Sequence, residues 1–162
     1  LMLDQLVLKD YRETVERDSP LVRLLAPRGI PEGYFAQWGW TAADGRTAVP
    51  GNDTDWTVTG GPLSASTPVT FTWDNGQGQV FEAQVSLDDN YMFQVRQRVT
   101  NRGTDAVTLL PWARIRRERT PQVAGFFILH EGFIAVQDGR LNEVTYKTAR
   151  DNTAATRGIG FE

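Results

Sequence analysis

Cysteine is absent from the 162 residues of this chain, and histidine and lysine are nearly absent. Without cysteine the chain has neither disulfides nor thiol chemistry, which fits the cytosol or a periplasmic domain that folds without a bridge. His130 is the single histidine, so the sequence lacks a ligand set for zinc. Lys9 and Lys147 are the only lysines, and the positive charge is therefore almost all arginine.

Long apolar runs and nucleophile motifs are also missing. No run approaches the ~20 residues that a transmembrane helix needs, and no signal peptide is present. No Gly-x-Ser-x-Gly elbow occurs. The net charge of −3 gives no reason to expect nucleic-acid binding. We therefore expect a chain without catalytic residues, cofactor or metal. We also expect both of its ends to have been cut from something longer, because apolar alternation is already under way at Leu1.

The central stretch, residues 68–118, alternates apolar and polar side chains. Successive residues of a strand point to opposite faces of its sheet, so this period of two gives each strand one apolar face. Turn-forming residues separate the runs at 74–76, 88–90 and 101–103. The apolar positions are Val69, Phe71, Trp73, Phe81, Ala83, Val85, Leu87, Tyr91, Phe93, Val95 and Val99. The pattern predicts an antiparallel meander that buries one face against another layer, as in a β-sandwich.

The rest of the chain contains shorter strand patterns. We predict strands at 3–11, 21–25, 34–40, near Trp56 and at 106–118, a loop at 27–33, and a hairpin of 133–137 and 140–146 joined by Asp138-Gly139. Residues 126–132 are compatible with a helix or a strand, and 149–157 have no pattern. The prediction is one all-β domain over residues 1–162, an antiparallel β-sandwich with little helix.

Three groups of residues are candidates for chemistry. His130 and Glu131 could act as an acid–base pair or half of a metal site, although a structural histidine is the simpler interpretation. The acidic pairs Asp53/Asp55 and Asp88/Asp89 could bind calcium or act as hydrolase carboxylates. Each pair lies in a turn, where aspartate is favoured for its own backbone hydrogen bonds. No residue is therefore assigned a catalytic role.

Tryptophan and arginine are the more informative residues. The chain has five tryptophans, at positions 38, 40, 56, 73 and 112, and most are expected in the core. Trp112 differs because it shares a strand face with Arg114 and Arg116. If their strands are neighbours, Arg96 and Arg98 join them in one basic face. That face is either a solvated surface that resists edge aggregation or a binding surface for an acidic protein or lipid headgroups. The candidate partner-binding residues are Arg96, Arg98, Trp112, Arg114 and Arg116.

Several segments together resemble the large periplasmic domain of bacterial YidC-type (YidC/Oxa/Alb family) membrane protein insertases. The resemblance follows the family's order along nearly the whole chain. Its segments are residues 6–11 (LVLKDY), 24–28 (LLAPR), 35–40 (FAQWGW), 73–78 (WDNGQG), 89–93 (DNYMF), 99–101 (VTN), 129–132 (LHEG) and 146–147 (YK).

The resemblance implies a β-supersandwich similar to that of galactose mutarotase, placed on the periplasmic side of the bacterial inner membrane. In the family this domain follows a first transmembrane helix and precedes the membrane core that performs insertion. That core, and the terminal segment leading to it, are not in these residues. The resemblance therefore implies a non-catalytic role in insertion and folding of inner-membrane proteins: spacing, stability, and docking of Sec accessory proteins such as SecDF, with possible contact to nascent membrane proteins.

Two alternatives remain open from the sequence. One is a carbohydrate-binding or aldose-epimerase-like module that uses exposed tryptophans with His130 and Glu131. The other is a structural spacer without a specific ligand. A sugar stacked on an exposed ring would perturb tryptophan fluorescence, whereas a tryptophan in the core would not respond.

Overall fold

A computed structural model describes residues 1–121 and 129–151 of the chain. It divides into two compact units, Leu1–Glu118 and Arg119–Glu162. The predicted all-β class is confirmed, since 51% of the residues are in strands and 4% in helix. That the two units form one domain stays a prediction.

The described residues contain eleven strands and one helix. In the first unit the strands are β1 (Met2–Leu3), β2 (Leu6–Arg12), β3 (Leu21–Leu25), β4 (Tyr34–Ala42), β5 (Thr57–Thr59), β6 (Val69–Asp74), β7 (Gln79–Leu87), β8 (Phe93–Asn101) and β9 (Leu109–Arg117). The second unit contains β10 (Gly132–Gln137), β11 (Arg140–Thr145) and α1 (Tyr146–Asp151).

Three antiparallel sheets build the first unit. One has four strands in the order β5-β6-β7-β8, one has three in the order β1-β4-β9, and β2 pairs with β3. The strands β6, β7 and β8 are the meander that the central alternation predicts, with its turns at the predicted places. The predicted first strand, 3–11, is wrong as a single element because the chain breaks at Asp4-Gln5. Its two parts, β1 and β2, then pair in different sheets.

The core lies between the four-stranded and the three-stranded sheet. Trp40 of β4 packs edge-on against Phe81 of β7, with ring centroids 5.2 Å apart, and Ala83 completes the buried cluster. Trp73 of β6 lies 5.6 Å from Phe81 and belongs to the same layer. Two sheets that share an apolar interior in this way form the predicted β-sandwich, because each sheet has one face to bury.

The predicted turns are formed by side chains that bond to the backbone. Asn75 accepts hydrogen bonds from the N–H groups of Gln77 and Gln79, at 2.8 and 3.0 Å, in the turn between β6 and β7. Asp88 accepts from the N–H groups of Asn90 and Met92 between β7 and β8. These bonds explain why Asn and Asp occupy the positions where the strands reverse.

The described part of the second unit contains a hairpin followed by a short helix. Strands β10 and β11 pair around Asp138-Gly139, as predicted, and Asp138 has the positive φ of 50° that such a turn requires. The predicted extension of the strand to Tyr146 is wrong, because the helix begins there. The hydroxyl of Thr145 accepts a hydrogen bond from the N–H of Thr148 at 3.1 Å and so caps the helix. Residues 126–128 of the undecided segment 126–132 lie outside the described residues, and its last residue, Gly132, begins β10.

The outer face of the three-stranded sheet has one close contact that fixes a large side chain. Gly39 of β4 is opposite Trp112 of β9, and a methyl group on Gly39 would come within 2.3 Å of the indole ring. The carbonyl of Gly39 also accepts a hydrogen bond from the Gln97 side chain of β8 at 2.8 Å. Glycine is therefore required here so that the indole can cover the strand.

Within the described ranges, no helix has the length and apolar character needed to cross a membrane.

Replacing Phe81 with alanine is predicted to destabilise the first unit by about 3–5 kcal/mol, because the ring is fully buried between the sheets. Val58→Ala is the control, since Val58 is 54% exposed and its truncation is expected to cost less than about 0.5 kcal/mol. Urea unfolding curves of both variants measure the difference. Equal midpoints would contradict the assigned core.

Gly39→Ala is predicted to destabilise the chain by about 1–3 kcal/mol, because the added methyl group displaces Trp112. In a Trp112→Ala background the same substitution is expected to cost much less. Gly51→Ala is the matched control, since a methyl group there meets nothing within 4 Å. A double-mutant cycle by urea unfolding measures the coupling, and a coupling of zero would show that the indole does not cover Gly39.

Candidate functional site

The candidate residues of β9 lie together on the outer face of the three-stranded sheet. Trp112, Arg114 and Arg116 are alternate residues of one strand, so their side chains share a face. The register places them opposite Gly39, Gln37 and Phe35 of β4. The two arginines are exposed and Trp112 is half-buried. The predicted grouping of these three residues on one face is confirmed.

Arg114 is held in place by a buried amide. Its Nε and Nη2 both donate to Oε1 of Gln37, at 3.1 and 2.8 Å. Gln37 is only 8% exposed, and its Nε2 donates to Asn52 at 3.4 Å. A buried amide without partners would cost free energy, so Arg114 stabilises the sheet as well as presenting charge at its surface. The guanidinium also lies 5.9 Å from the Trp112 ring centroid, within the range of a cation–π contact.

Arg116 forms a two-point ion pair with Glu118. Its Nε lies 3.3 Å from Oε1 and its Nη2 lies 3.3 Å from Oε2 of the carboxylate. The two side chains are 46% and 25% exposed, and a pair of that exposure adds little to stability. The geometry nevertheless shows how the guanidinium of Arg116 receives a carboxylate.

A cleft of about 500 Å³ opens between these arginines and the turn that precedes β4. One wall is the turn from Arg28 to Pro31, the other is Arg114 and Arg116, and Phe35 lies at the base. The turn is fixed by two backbone bonds: Gly33 N–H donates to the Ile30 carbonyl at 2.9 Å, and Glu118 N–H donates to the Gly33 carbonyl at 2.8 Å. Both walls of the cleft are therefore anchored to regular structure.

A second, smaller cleft of about 300 Å³ lies along the same sheet. Its lining combines the polar side chains of Gln37, Asn52 and Thr54 with the apolar side chains of Leu1, Met2 and Trp56. Arg28 lines both clefts, and Gln37 connects them through its bonds to Arg114 and Asn52. The two clefts thus share the Arg28 side chain, and the Gln37 amide of the second cleft is bonded to Arg114 of the first.

Arg96 and Arg98 lie elsewhere. They are exposed residues of β8, which pairs with β7 in the four-stranded sheet, whereas β9 pairs with β4. Arg96 and Arg98 could share one basic face with Arg114 and Arg116 only if β8 and β9 were neighbouring strands. They are not neighbours, so this prediction is wrong. Alternation fixes the face of each side chain but not the partner of each strand. Arg98 is opposite Glu82 in the register, which is a cross-strand neighbour of opposite charge.

The remaining candidates do not gather into a reactive group. His130 is half-buried, and its Nε2 is the one buried side-chain polar atom without a hydrogen-bond partner in the described ranges. The neighbouring Glu131 is exposed, and its carbonyl accepts a bond from the Tyr146 N–H at 3.1 Å. In the part of the chain that the structure describes, no three His, Asp or Glu residues are arranged to hold a metal ion.

The tryptophans are placed mostly in the interior. Trp40 is buried, and the other four are half-buried. Trp56 packs at right angles to Phe71, and Trp73 packs on Phe81. No tryptophan is exposed, so the carbohydrate-binding alternative lacks the open stacking platform on which it was based.

Sequence reasoning missed three residues of the clefts. Arg28 lies in a segment predicted only as a loop. Phe35 and Gln37 lie in the predicted strand 34–40, where the aromatic pattern indicates no binding role for either. No local pattern connects them to Arg114 and Arg116, because β4 and β9 are far apart in the chain. A buried glutamine between aromatic residues, as in Phe35-Ala-Gln-Trp38, was the one available signal that a polar partner lies opposite.

Comparison with known proteins agrees with this architecture. The profile of the "YidC periplasmic domain" family matches residues 2–160. A protein named "Membrane protein insertase YidC" from Granulibacter bethesdensis is 47% identical over 159 residues, which are 98% of this chain and 28% of that protein. Its namesake from Acidiphilium cryptum is 49% identical over 146 residues, 90% of this chain and 24% of that protein. Another from Methylobacterium nodulans is 43% identical over 164 residues, 98% and 27% respectively.

This chain spans about a quarter of the length of the curated relatives that it matches. No solved structure matches it, so the likeness to galactose mutarotase stays a prediction. The family match covers nearly the whole chain, and the relatives exceed 40% identity over nine-tenths of it. The chain therefore belongs to the YidC periplasmic domain family.

Proposed function

We propose that this chain is the non-catalytic periplasmic part of a membrane protein insertase, on the periplasmic side of the bacterial inner membrane. Its role is to support insertion and folding of inner-membrane proteins by docking Sec accessory proteins such as SecDF, with nascent membrane proteins as further contacts. The family match over residues 2–160 and the names of the relatives support this role.

The docking surface proposed here is the outer face of the three-stranded sheet at Trp112, Arg114 and Arg116. The observation that carries it is the arrangement of two exposed guanidinium groups beside a half-buried indole on one rigid strand face. Arginine and tryptophan are enriched at the energetic centres of protein interfaces, because each combines a large contact area with directed polar groups. Arg96 and Arg98 form a separate basic pair, which takes part only if the partner also reaches the four-stranded sheet.

The location has a direct test in the native, full-length protein. After carbonate extraction of membranes we expect the protein to remain in the pellet, and protease added to spheroplasts should cleave within this segment. Protease added to inverted vesicles should leave the segment intact. Recovery of the native protein in the carbonate supernatant would contradict the proposed location.

Charge reversal on β9 tests the docking surface. Arg114→Glu with Arg116→Glu is expected to reduce co-purification of SecDF with the full-length protein by more than about tenfold, since the loss of even one hot-spot residue costs ~2 kcal/mol or more. Arg116→Glu alone should give a smaller loss while keeping the Arg114–Gln37 bonds.

The matched control is Arg96→Glu with Arg98→Glu, which changes the net charge equally on the other sheet. Unchanged SecDF recovery from both β9 variants, with an intact fold by circular dichroism, would eliminate this surface. A loss with the β8 variant as well would show that the partner spans both basic pairs.

A further inference from the structure

The cleft beside β9 has the charge and shape of a carboxylate site. Three guanidinium groups line it, from Arg28, Arg114 and Arg116, against the single carboxylate of Glu118. The lining therefore carries three positive charges and one negative, a surplus of two, while the whole chain has a net charge of −3. Positive charge in a concave site with protein walls attracts anions more strongly than the same charge on a convex surface.

The apolar part of the lining restricts which anion fits. Phe35 lies at the base and is fully buried, and the exposed side chains of Ile30 and Pro31 form part of one wall. A free inorganic anion would leave Ile30 and Pro31 facing water. A ligand that carries a carboxylate next to an apolar side chain would satisfy both parts of the lining.

Glu118 shows where such a carboxylate is received. Its two oxygens face Nε and Nη2 of Arg116, each at 3.3 Å, in the fork arrangement that guanidinium groups offer to carboxylates. Because this pair is partly exposed, it contributes little free energy and can rearrange when a second carboxylate enters. Glu118 therefore competes with an anionic ligand for Arg116.

Arg28 is the residue best placed to distinguish ligands. It is exposed, projects from the turn held by the Gly33 backbone bonds, and lines both clefts. A ligand that follows the sheet from one cleft to the other must pass this guanidinium. The second cleft offers the Asn52 amide and the Thr54 hydroxyl, which suit peptide backbone groups, whereas the buried Gln37 amide is already bonded to Arg114 and Asn52.

We propose that this pair of clefts binds an extended acidic segment of a partner protein, with a glutamate or aspartate side chain at Arg28 and Arg116 and an adjacent apolar side chain against Ile30 and Pro31. The proposal deepens the docking role proposed above and rests on it for the identity of the partner surface. A peptide is favoured over an anionic membrane because the site is concave, carries its own carboxylate, and belongs to a chain of net negative charge.

The experiment measures fluorescence anisotropy of a dye-labelled peptide of alternating glutamate and leucine, capped at both ends, added to the 162-residue chain. We expect saturable binding, and no binding of the same peptide with glutamine in place of glutamate. Arg28→Gln should weaken binding by about fivefold, the effect of one partly exposed charge contact. Glu118→Gln should strengthen it by about threefold, because it removes the competing carboxylate.

Arg98→Gln is the matched control, since it removes the same charge from an exposed strand position outside both clefts. Equal weakening by Arg28→Gln and Arg98→Gln would overturn the proposal and attribute binding to general electrostatics. Neither variant removes a hydrogen bond of Gln37, and thermal melts confirm that each is folded. Absence of saturable binding would also overturn it.

Two further arms separate the alternatives. Binding of phosphatidylglycerol vesicles that depends on Arg28, without peptide binding, would overturn the proposal in favour of lipid headgroups. If Arg116→Glu loses SecDF docking while the acidic peptide does not bind, the results support the docking surface and overturn the carboxylate site. If the peptide binds as expected but SecDF recovery with Arg116→Glu is unchanged, the results support the carboxylate site and overturn the docking of SecDF at this surface.

Discussion

The antiparallel pairing of β4 with β9 is the constraint on which the functional surface depends. Its register runs from Tyr34 opposite Arg117 to Ala42 opposite Leu109. This register places the indole of Trp112 over Gly39 and brings Arg114 to Gln37. A shift of one residue would move Trp112, Arg114 and Arg116 to the opposite face of the sheet, away from Gly39 and Gln37. The arginine surface and the core are therefore fixed by the same set of backbone bonds.

The inner face of β4 stabilises the fold, and its outer face forms part of the candidate site. Trp40 points into the sandwich and packs on Phe81, so it stabilises the fold by excluding water. Gln37 and Phe35 point to the outer face, where they contact Arg114 and form the base of a cleft. The aromatic packing on one side holds β4 rigid, which allows its other side to present polar groups at fixed positions. A binding surface on such a strand loses little conformational entropy when a partner docks.

Much of the β architecture was predictable from local sequence. The alternation around Phe81 predicted the inner face of β7, and Asn75 and Asp88 predicted the turns. Both patterns reflect interactions between residues that are close in the chain. The failures were also local in origin. The strand predicted to reach Tyr146 missed the cap from Thr145, and the single first strand missed the break after Leu3.

The candidate site was predictable only in part. Alternation correctly grouped Trp112, Arg114 and Arg116, but it also suggested a common face with Arg96 and Arg98, which lie in a different sheet. The family resemblance supplied a role that no residue pattern contained, since the fold itself does not specify a function.

The sequence by itself determined which side chains of each strand face the core and where the chain turns, because those properties depend on a two-residue period and on local hydrogen bonds. Only the tertiary structure decided which strands are neighbours. That choice placed Glu118 in one cleft with Arg28 and Phe35, although Glu118 is distant from both in the chain. Strand pairing is set by the total burial and hydrogen bonding of the sheets, and no short stretch of sequence contains that sum.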